Sequence, residues 1–352
     1  MNKRIALFLA LALIVGLAAG CAGTPVVYYS DCTCPTGTHT NTPQPTNPPA
    51  EGAVKTGLAV ITSVSGSENA SHANYDVTLV AVTVDEQGII DSCVIDSIGT
   101  KVTFDATGSI TADLSAEIKS KNELGDSYGM VNYGQAKYEW YQQAAALADY
   151  AEGKTVSELK NGAINESGYA PDGSDLASMA TIYLGGYVSA IETAVSNAKH
   201  LGAQAGDELR LAAISSIADS TSAADGKDGT AQLNVDVTAL TVKGSVITSC
   251  CIDSVQAKVS FDAAGTITTD LTAPVQTKTQ LGDSYGMVAW GGAKYEWYQQ
   301  AANFASYVTG KTAAQVAGIA VTEGKPSDAD LSSSVTIAIG GFQALIAKAM
   351  QS

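Results

Sequence analysis

Two stretches of the 352-residue chain carry the same ordered set of hydroxyl and carboxyl groups. Asp175-Leu176-Ala177-Ser178-Met179-Ala180-Thr181-Ile182 is answered by Asp330-Leu331-Ser332-Ser333-Ser334-Val335-Thr336-Ile337. In each, a serine follows the acid by three residues and a threonine follows it by six, and then comes Gly185-Gly186-Tyr187 or Gly340-Gly341-Phe342. A threonine beside glycines presents its hydroxyl with backbone room for a bulky esterifying group such as a phosphate. Thr181 and Thr336 are therefore read as two attachment points for a covalent cofactor. One such stretch alone also fits a plain Thr-Ile strand start behind a helix-capping acid; two at matched places, taken with the build of the rest of the chain described below, favour attachment.

No residue set has the make-up of a bond-cleaving centre. His39, His72 and His200 all fall outside the repeated blocks, so the copies share no histidine acid–base pair. No Cys/His group has zinc spacing, no haem motif occurs and no phosphate-cradling glycine loop of the Walker type is present. Cys93 and Cys250 occupy matched strand positions and read as buried thiols, with Cys251 facing the other way. Cys32 and Cys34 form a lone Cys-x-Cys, which outside the cell points to a disulfide ahead of a metal or redox pair. A net charge of −16 argues against a nucleic-acid partner and against direct adhesion of the folded part to an anionic membrane.

The elements that must position these threonines are written twice. Glu123-Leu124-Gly125-Asp126-Ser127-Tyr128-Gly129-Met130-Val131 is answered by Gln280-Leu281-Gly282-Asp283-Ser284-Tyr285-Gly286-Met287-Val288. Ala136-Lys137-Tyr138-Glu139-Trp140-Tyr141-Gln142-Gln143-Ala144 is likewise answered by the stretch Ala293–Ala301. Identity over so long a span means duplicated domains, not a solenoid of small units. Within a copy, Leu58–Val64, Tyr75–Val84 and Ile89–Ile98 read as strands, with a short one at Lys101–Phe104. Leu233, Val235, Val237 and Ala239 alternate with polar residues, which predicts a strand buried on one face. A helix is expected over about Ala136–Tyr150, with Trp140, Ala144, Leu147 and Ala148 on one stripe and Gly153 ending it. The stripe assigns Trp140 and Trp297 to core packing; Tyr128 and Tyr285, in a glycine-flanked loop, are the candidates for a binding pocket, and Asp126 and Asp283 for turn caps. Thr181–Leu184 is expected as a short strand, followed by a last helix through Tyr187, Ile191, Ala194 and Ala198. The fold class is α+β: two tandem homologous domains, each an antiparallel sheet with a few packed helices.

The N-terminus supplies an address. Lys3 and Arg4, the apolar run Ile5–Leu17 and the small residues before Cys21 form a secretory signal with a bacterial lipoprotein cleavage box. The run is short for a bilayer span. That resemblance implies lipid on Cys21 as the mature N-terminus. Residues 22–55 are rich in Thr, Pro, Asn and Ser and read as an extended tether. The expected organisation is signal 1–20, tether 21–55, first repeat domain 56–201 and second repeat domain 202–352.

The threonine stretches resemble the acceptor motif of bacterial proteins flavinylated outside the cytoplasm, Asp-x-x-Ser/Thr-Gly-Ala-Thr/Ser. Asp175, Ser178, Ala180 and Thr181 match it, with Met179 in place of glycine; Asp330, Ser333 and Thr336 match it, with Ser334 and Val335 in place of glycine and alanine. With its lipoprotein signal, Pro/Thr tether and twin domains, nearly the whole chain is similar to the surface flavin lipoproteins of Gram-positive bacteria, the peptide-pheromone-encoding lipoprotein A family. The resemblance implies FMN ester-linked to Thr181 and Thr336 by a flavin transferase using FAD, and an isoalloxazine packed by neighbouring aromatics such as Tyr128 and Tyr285. It further implies a lipid-anchored electron carrier on the outer face of the cell membrane. Such a carrier takes electrons from a membrane NADH dehydrogenase and quinone pool and passes them to extracellular acceptors such as ferric iron. The expected role is carriage more than stand-alone catalysis, with a ferric or flavin-linked reductase activity as its enzymatic form. The competing reading is a flavin-free surface lipoprotein whose repeat is a ligand-binding or adhesion module.

Overall fold

The computed structural model describes residues 52–351. The signal segment, Cys21, Cys32, Cys34, His39 and the tether up to residue 51 lie outside the described residues. The fold begins with β1 (Lys55–Ser63), β2 (His72–Val84) and β3 (Ile90–Thr103), an antiparallel meander in the order β1-β2-β3. Helices α1 (Lys121–Leu124), α2 (Trp140–Ala151), α3 (Val156–Ala163), α4 (Asp175–Met179) and α5 (Gly185–Asn197) follow. The second repeat rebuilds the plan with the meander β4 (Glu208–Ser216), β5 (Gly229–Lys243) and β6 (Val246–Phe261). Its helices are α6 (Lys278–Leu281), α7 (Trp297–Val308), α8 (Ala313–Ala317), α9 (Ala329–Ser332) and α10 (Gly340–Ala349). A two-residue hairpin, β7 (Val321–Thr322) with β8 (Lys325–Pro326), sits between α8 and α9.

Strand alternation explains the layering. On β2, Tyr75, Val77, Leu79 and Ala81 point to one face and Val80, Val82 and Val84 to the other. The first set packs against Leu233, Val235, Val237 and Ala239 of β5 in a core common to both sheets. The second set packs under α2 and α5, while Leu240, Val242 and Ile247 do the same under α7 and α10. The described residues thus belong to one compact body of four layers: helices, sheet, sheet, helices. The repeats share their central core, where separate domains were expected, because each meander is apolar on both faces.

The shared core carries an approximate two-fold relation between the repeats. Phe104 stacks on Phe261, its own counterpart, with ring centroids 4.0 Å apart. Ile110 N–H donates to Ser222 Oγ at 2.9 Å, and Ile267 N–H donates to Asn69 Oδ1 at 2.8 Å.

Several boundaries move. Lys101–Phe104 is no separate strand but the end of β3, which runs unbroken to Thr103. The helix expected from Ala136 starts at Trp140, because Glu139 and Gln142 form a capping box there. Gly153, at φ 73°, follows its end as expected. The strand expected at Thr181–Leu184 does not form: these residues link α4 to α5, with their first N–H groups turned to a side chain instead of a neighbouring strand. Cys93 and Cys250 are buried on the helix sides of their sheets, and Cys251 packs toward the shared core, as alternation predicts.

Candidate functional site

Each threonine is placed by one buried glutamine. Gln143 lies on α2 with 1% of its surface exposed. Its Oε1 accepts from Thr181 N–H at 2.7 Å, Thr181 Oγ1 at 3.2 Å and Ile182 N–H at 3.2 Å. Its Nε2 donates to Tyr138 O at 2.9 Å, which fixes the direction of the amide. The second repeat reproduces this: Gln300 Oε1 accepts from Thr336 N–H at 2.8 Å, Thr336 Oγ1 at 3.2 Å and Ile337 N–H at 3.2 Å. Both threonines are exposed at this point. The adjoining Ala180 and Val335 are buried and anchor the segment, which gives physical sense to an apolar residue before each threonine.

The next residue, Ile182 or Ile337, lines a cleft. The first cleft has a volume of about 450 Å³ and the second about 380 Å³, within the usual range for small-molecule sites. Tyr128, Met130 and Trp140 wall the first; Tyr285, Met287 and Trp297 wall the second. The second glycine of each Gly-Gly pair, Gly186 or Gly341, also lines its cleft, so a Cβ there would project toward the space. Tyr128 and Tyr285, the pocket candidates of the glycine-flanked loops, each line a cleft. Trp140 and Trp297 do two jobs: each is buried in its helix-side core, as the stripe predicts, and also forms cleft wall, which the stripe alone could not reveal.

A cation overlooks each wall. Lys121 Nζ lies 5.1 Å from the Tyr128 ring centroid and 5.0 Å from that of Trp140. Lys278 Nζ lies 5.4 Å from Tyr285 and 4.9 Å from Trp297. Burial pushes the Lys278 ammonium below its usual pKa, while the carboxylates of Asp236 and Asp253 act the other way. The loop before α2 is held by a buried carboxylate. Glu139 accepts from Met130 N–H at 2.8 Å and Val131 N–H at 2.9 Å, and Glu296 does the same for Met287 and Val288.

The acids of the threonine motifs stand elsewhere. Asp175 is exposed in the first turn of α4, whose N-cap is Ser174, and Asp330 is exposed in the first turn of α9, whose N-cap is Asp328. Ser178 Oγ donates to Asp175 O at 2.7 Å and Ser333 Oγ to Asp330 O at 2.8 Å, so these serines close their own helical turns. None of the four lines a cleft. Lys137 Nζ donates to Ser178 O at 3.3 Å and Lys294 Nζ to Ser333 O at 3.2 Å, bringing a cation beside each motif. Asp126 and Asp283 accept from Tyr141 and Tyr298 hydroxyls at 3.2 Å, linking the loop to α2 and α7.

The arrangement presents the hydroxyls without activating them. The partner of each Oγ1 is a neutral amide, which turns the proton inward and leaves the oxygen lone pairs facing out. An amide cannot remove the proton at neutral pH, so deprotonation requires a base from another molecule. No sequence expectation attaches to Gln143 and Gln300; the signal that singles them out is a polar residue recurring on the apolar face of a matched helix. Among the described residues no group of three or more His, Cys, Asp or Glu could hold a metal ion, and no helix is long and apolar enough to cross a membrane. No protein-family model, curated protein or solved structure matches this chain.

Proposed function

We propose that the protein is an extracytoplasmic electron carrier, anchored by lipid on Cys21, with FMN esterified to Thr181 and Thr336. The observation that carries the reading is the twofold occurrence of an exposed threonine, held by a buried glutamine, beside an aromatic cleft of small-molecule size. The residues fit the group. A flat ring with apolar faces suits walls of Tyr, Trp and Met, and the threonine ester suits an exposed hydroxyl one residue from the cleft-lining Ile182 or Ile337.

In attachment, Thr181 Oγ1 forms a bond to the flavin-side phosphorus of FAD. The pyrophosphate P–O bond breaks, AMP leaves and the hydroxyl proton passes to a base of the transferase. Asp175 and Ser178, exposed on α4, are the parts of the motif a transferase can read. Bound FMN accepts and releases electrons singly or in pairs. The chain would supply the rest: Trp140 and Tyr128 would orient the ring and shield one side of it from water, Lys121 would set the local charge, and the ester would keep the cofactor from diffusing into the medium. Electrons would enter from a membrane NADH dehydrogenase and quinone pool and leave to extracellular acceptors such as ferric iron. A reductase activity toward such acceptors belongs to the same reading.

The test is intact and peptide mass after co-expression with a flavin transferase and FAD. The expected result is two FMN adducts, on Thr181 and Thr336 and nowhere else. A colourless, unmodified protein supports the alternative of a flavin-free binding module. Cys21→Ala abolishes fatty-acid labelling if the anchor is as proposed.

A further inference from the structure

The two clefts match in Lys121/Lys278, Tyr128/Tyr285 and Trp140/Trp297, but three wall positions differ. Thr78 of β2 is replaced by Asp236 of β5, Tyr183 by Ala338 and Tyr187 by Phe342. The first change alters charge. Thr78 and Asp236 are equivalent by strand register: Thr78 pairs with Ser97 on β3, and Asp236 pairs with Ser254 on β6 at the corresponding place. The Asp236 carboxylate lies close to Gly341, where an added Cβ would stand 3.7 Å from its Oδ2. Among wall-lining side chains, the first cleft therefore holds one cation and no anion, whereas the second holds one of each.

We infer that the two sites are redox-inequivalent, with the group at Thr336 held at a lower reduction potential than the group at Thr181 because Asp236 stands where the first cleft has Thr78. The inference rests on the flavin reading above. Near neutral pH, two electrons and one proton convert oxidised flavin to an anionic reduced form. A nearby carboxylate opposes that added negative charge and a nearby ammonium favours it. At an effective dielectric near 20, unit charges separated by about 8–12 Å interact by an energy that corresponds to a ratio of about tenfold or somewhat more, and solvent in the cleft screens it, so the expected preference for reduction at Thr181 is on the order of tenfold. The hydroxyl of Tyr187, which accepts from Trp140 Nε1 at 3.1 Å, adds a polar group to the first wall; Phe342 offers none. The carrier would then fill in order, Thr181 first and Thr336 second.

The two single-site proteins separate the sites. Thr336→Ala retains only the Thr181 flavin and Thr181→Ala only the Thr336 flavin; mass spectrometry establishes this before any titration. Each is reduced stepwise with dithionite in the presence of mediator dyes, and flavin absorbance gives the midpoint. The expected result is a lower midpoint for the Thr336 flavin. Asp236→Asn, which preserves side-chain size, should raise it toward that of the Thr181 flavin, and Thr78→Asp should lower the latter. Equal midpoints, a reversed order or an Asp236→Asn variant with an unmoved midpoint overturns the inference while leaving the flavin assignment intact. Absence of flavin from both threonines, seen by mass alone, overturns the flavin assignment and this inference together.

Discussion

A single amide decides the conformation of each threonine. Gln143 satisfies two backbone N–H groups and a hydroxyl with one oxygen, so Gln143→Ala leaves these donors and Tyr138 O without their partner. The expected cost is about 2 kcal/mol, read as a lower urea midpoint, with loss of modification at Thr181 and none at Thr336. Thr181→Ala should cost only about 1 kcal/mol while removing one of the two flavin adducts; Thr336→Ala should do the converse. A thiol-accessibility experiment checks burial directly. Burial pushes the Cys250 thiol up to about 12 and raises Cys93 as well, so neither presents thiolate at pH 8. Iodoacetamide should leave both unlabelled in the native protein and label both in urea; native labelling of either would contradict the packing. The threonines themselves were legible because they recur with their acids and glycines. The role of the glutamines was not, since a polar residue recurring on an apolar stripe marks a position without naming its partners, which lie far away in the chain.

At the scale of elements, the strands were legible because runs rich in Val, Ile and Thr are bounded by turn residues, and because Leu233, Val235, Val237 and Ala239 alternate with polar residues. Four-residue helices such as α1, α6 and α9 were not, since so short a stretch shows no helical period. Thr181–Leu184 illustrates why local propensity misled: β-branched Thr181 and Ile182 favour extended backbone, but no strand edge is offered there, and the side chain of Gln143 takes their N–H groups. The close approach of α5 to β1 was equally hidden. Gly57 lies so near the Ala194 carbonyl that a Cβ would overlap it. Gly57→Ala should therefore push α5 outward at a cost of about 2 kcal/mol. Because Gly186, near the start of α5, lines the first cleft, attachment at Thr181 should fall while attachment at Thr336 persists. Equal loss at both sites would show that the helix does not govern its own cleft.

At the scale of the whole molecule, the shared core makes the repeats one folding body. Urea should unfold the mature protein in one transition when followed by tryptophan fluorescence and by circular dichroism. Residues 52–201 expressed alone would expose Tyr75, Val77, Leu79 and Phe104. The expected outcome is self-association or aggregation in sedimentation; a stable folded monomer would refute the shared-core account. The duplication was legible and the sandwich was not, because a sequence repeat does not say whether its copies stand apart or lie face to face. The stacked pair Phe104–Phe261 bears on how such a molecule can change. A ring that meets its own counterpart occupies the place where a symmetric homodimer meets itself. An ancestor with a single repeat could have reached the same arrangement as two identical chains, in which every substitution appeared in both clefts at once. Joining the copies in one chain released them from that bond, and Thr78 opposite Asp236 records their separate descent.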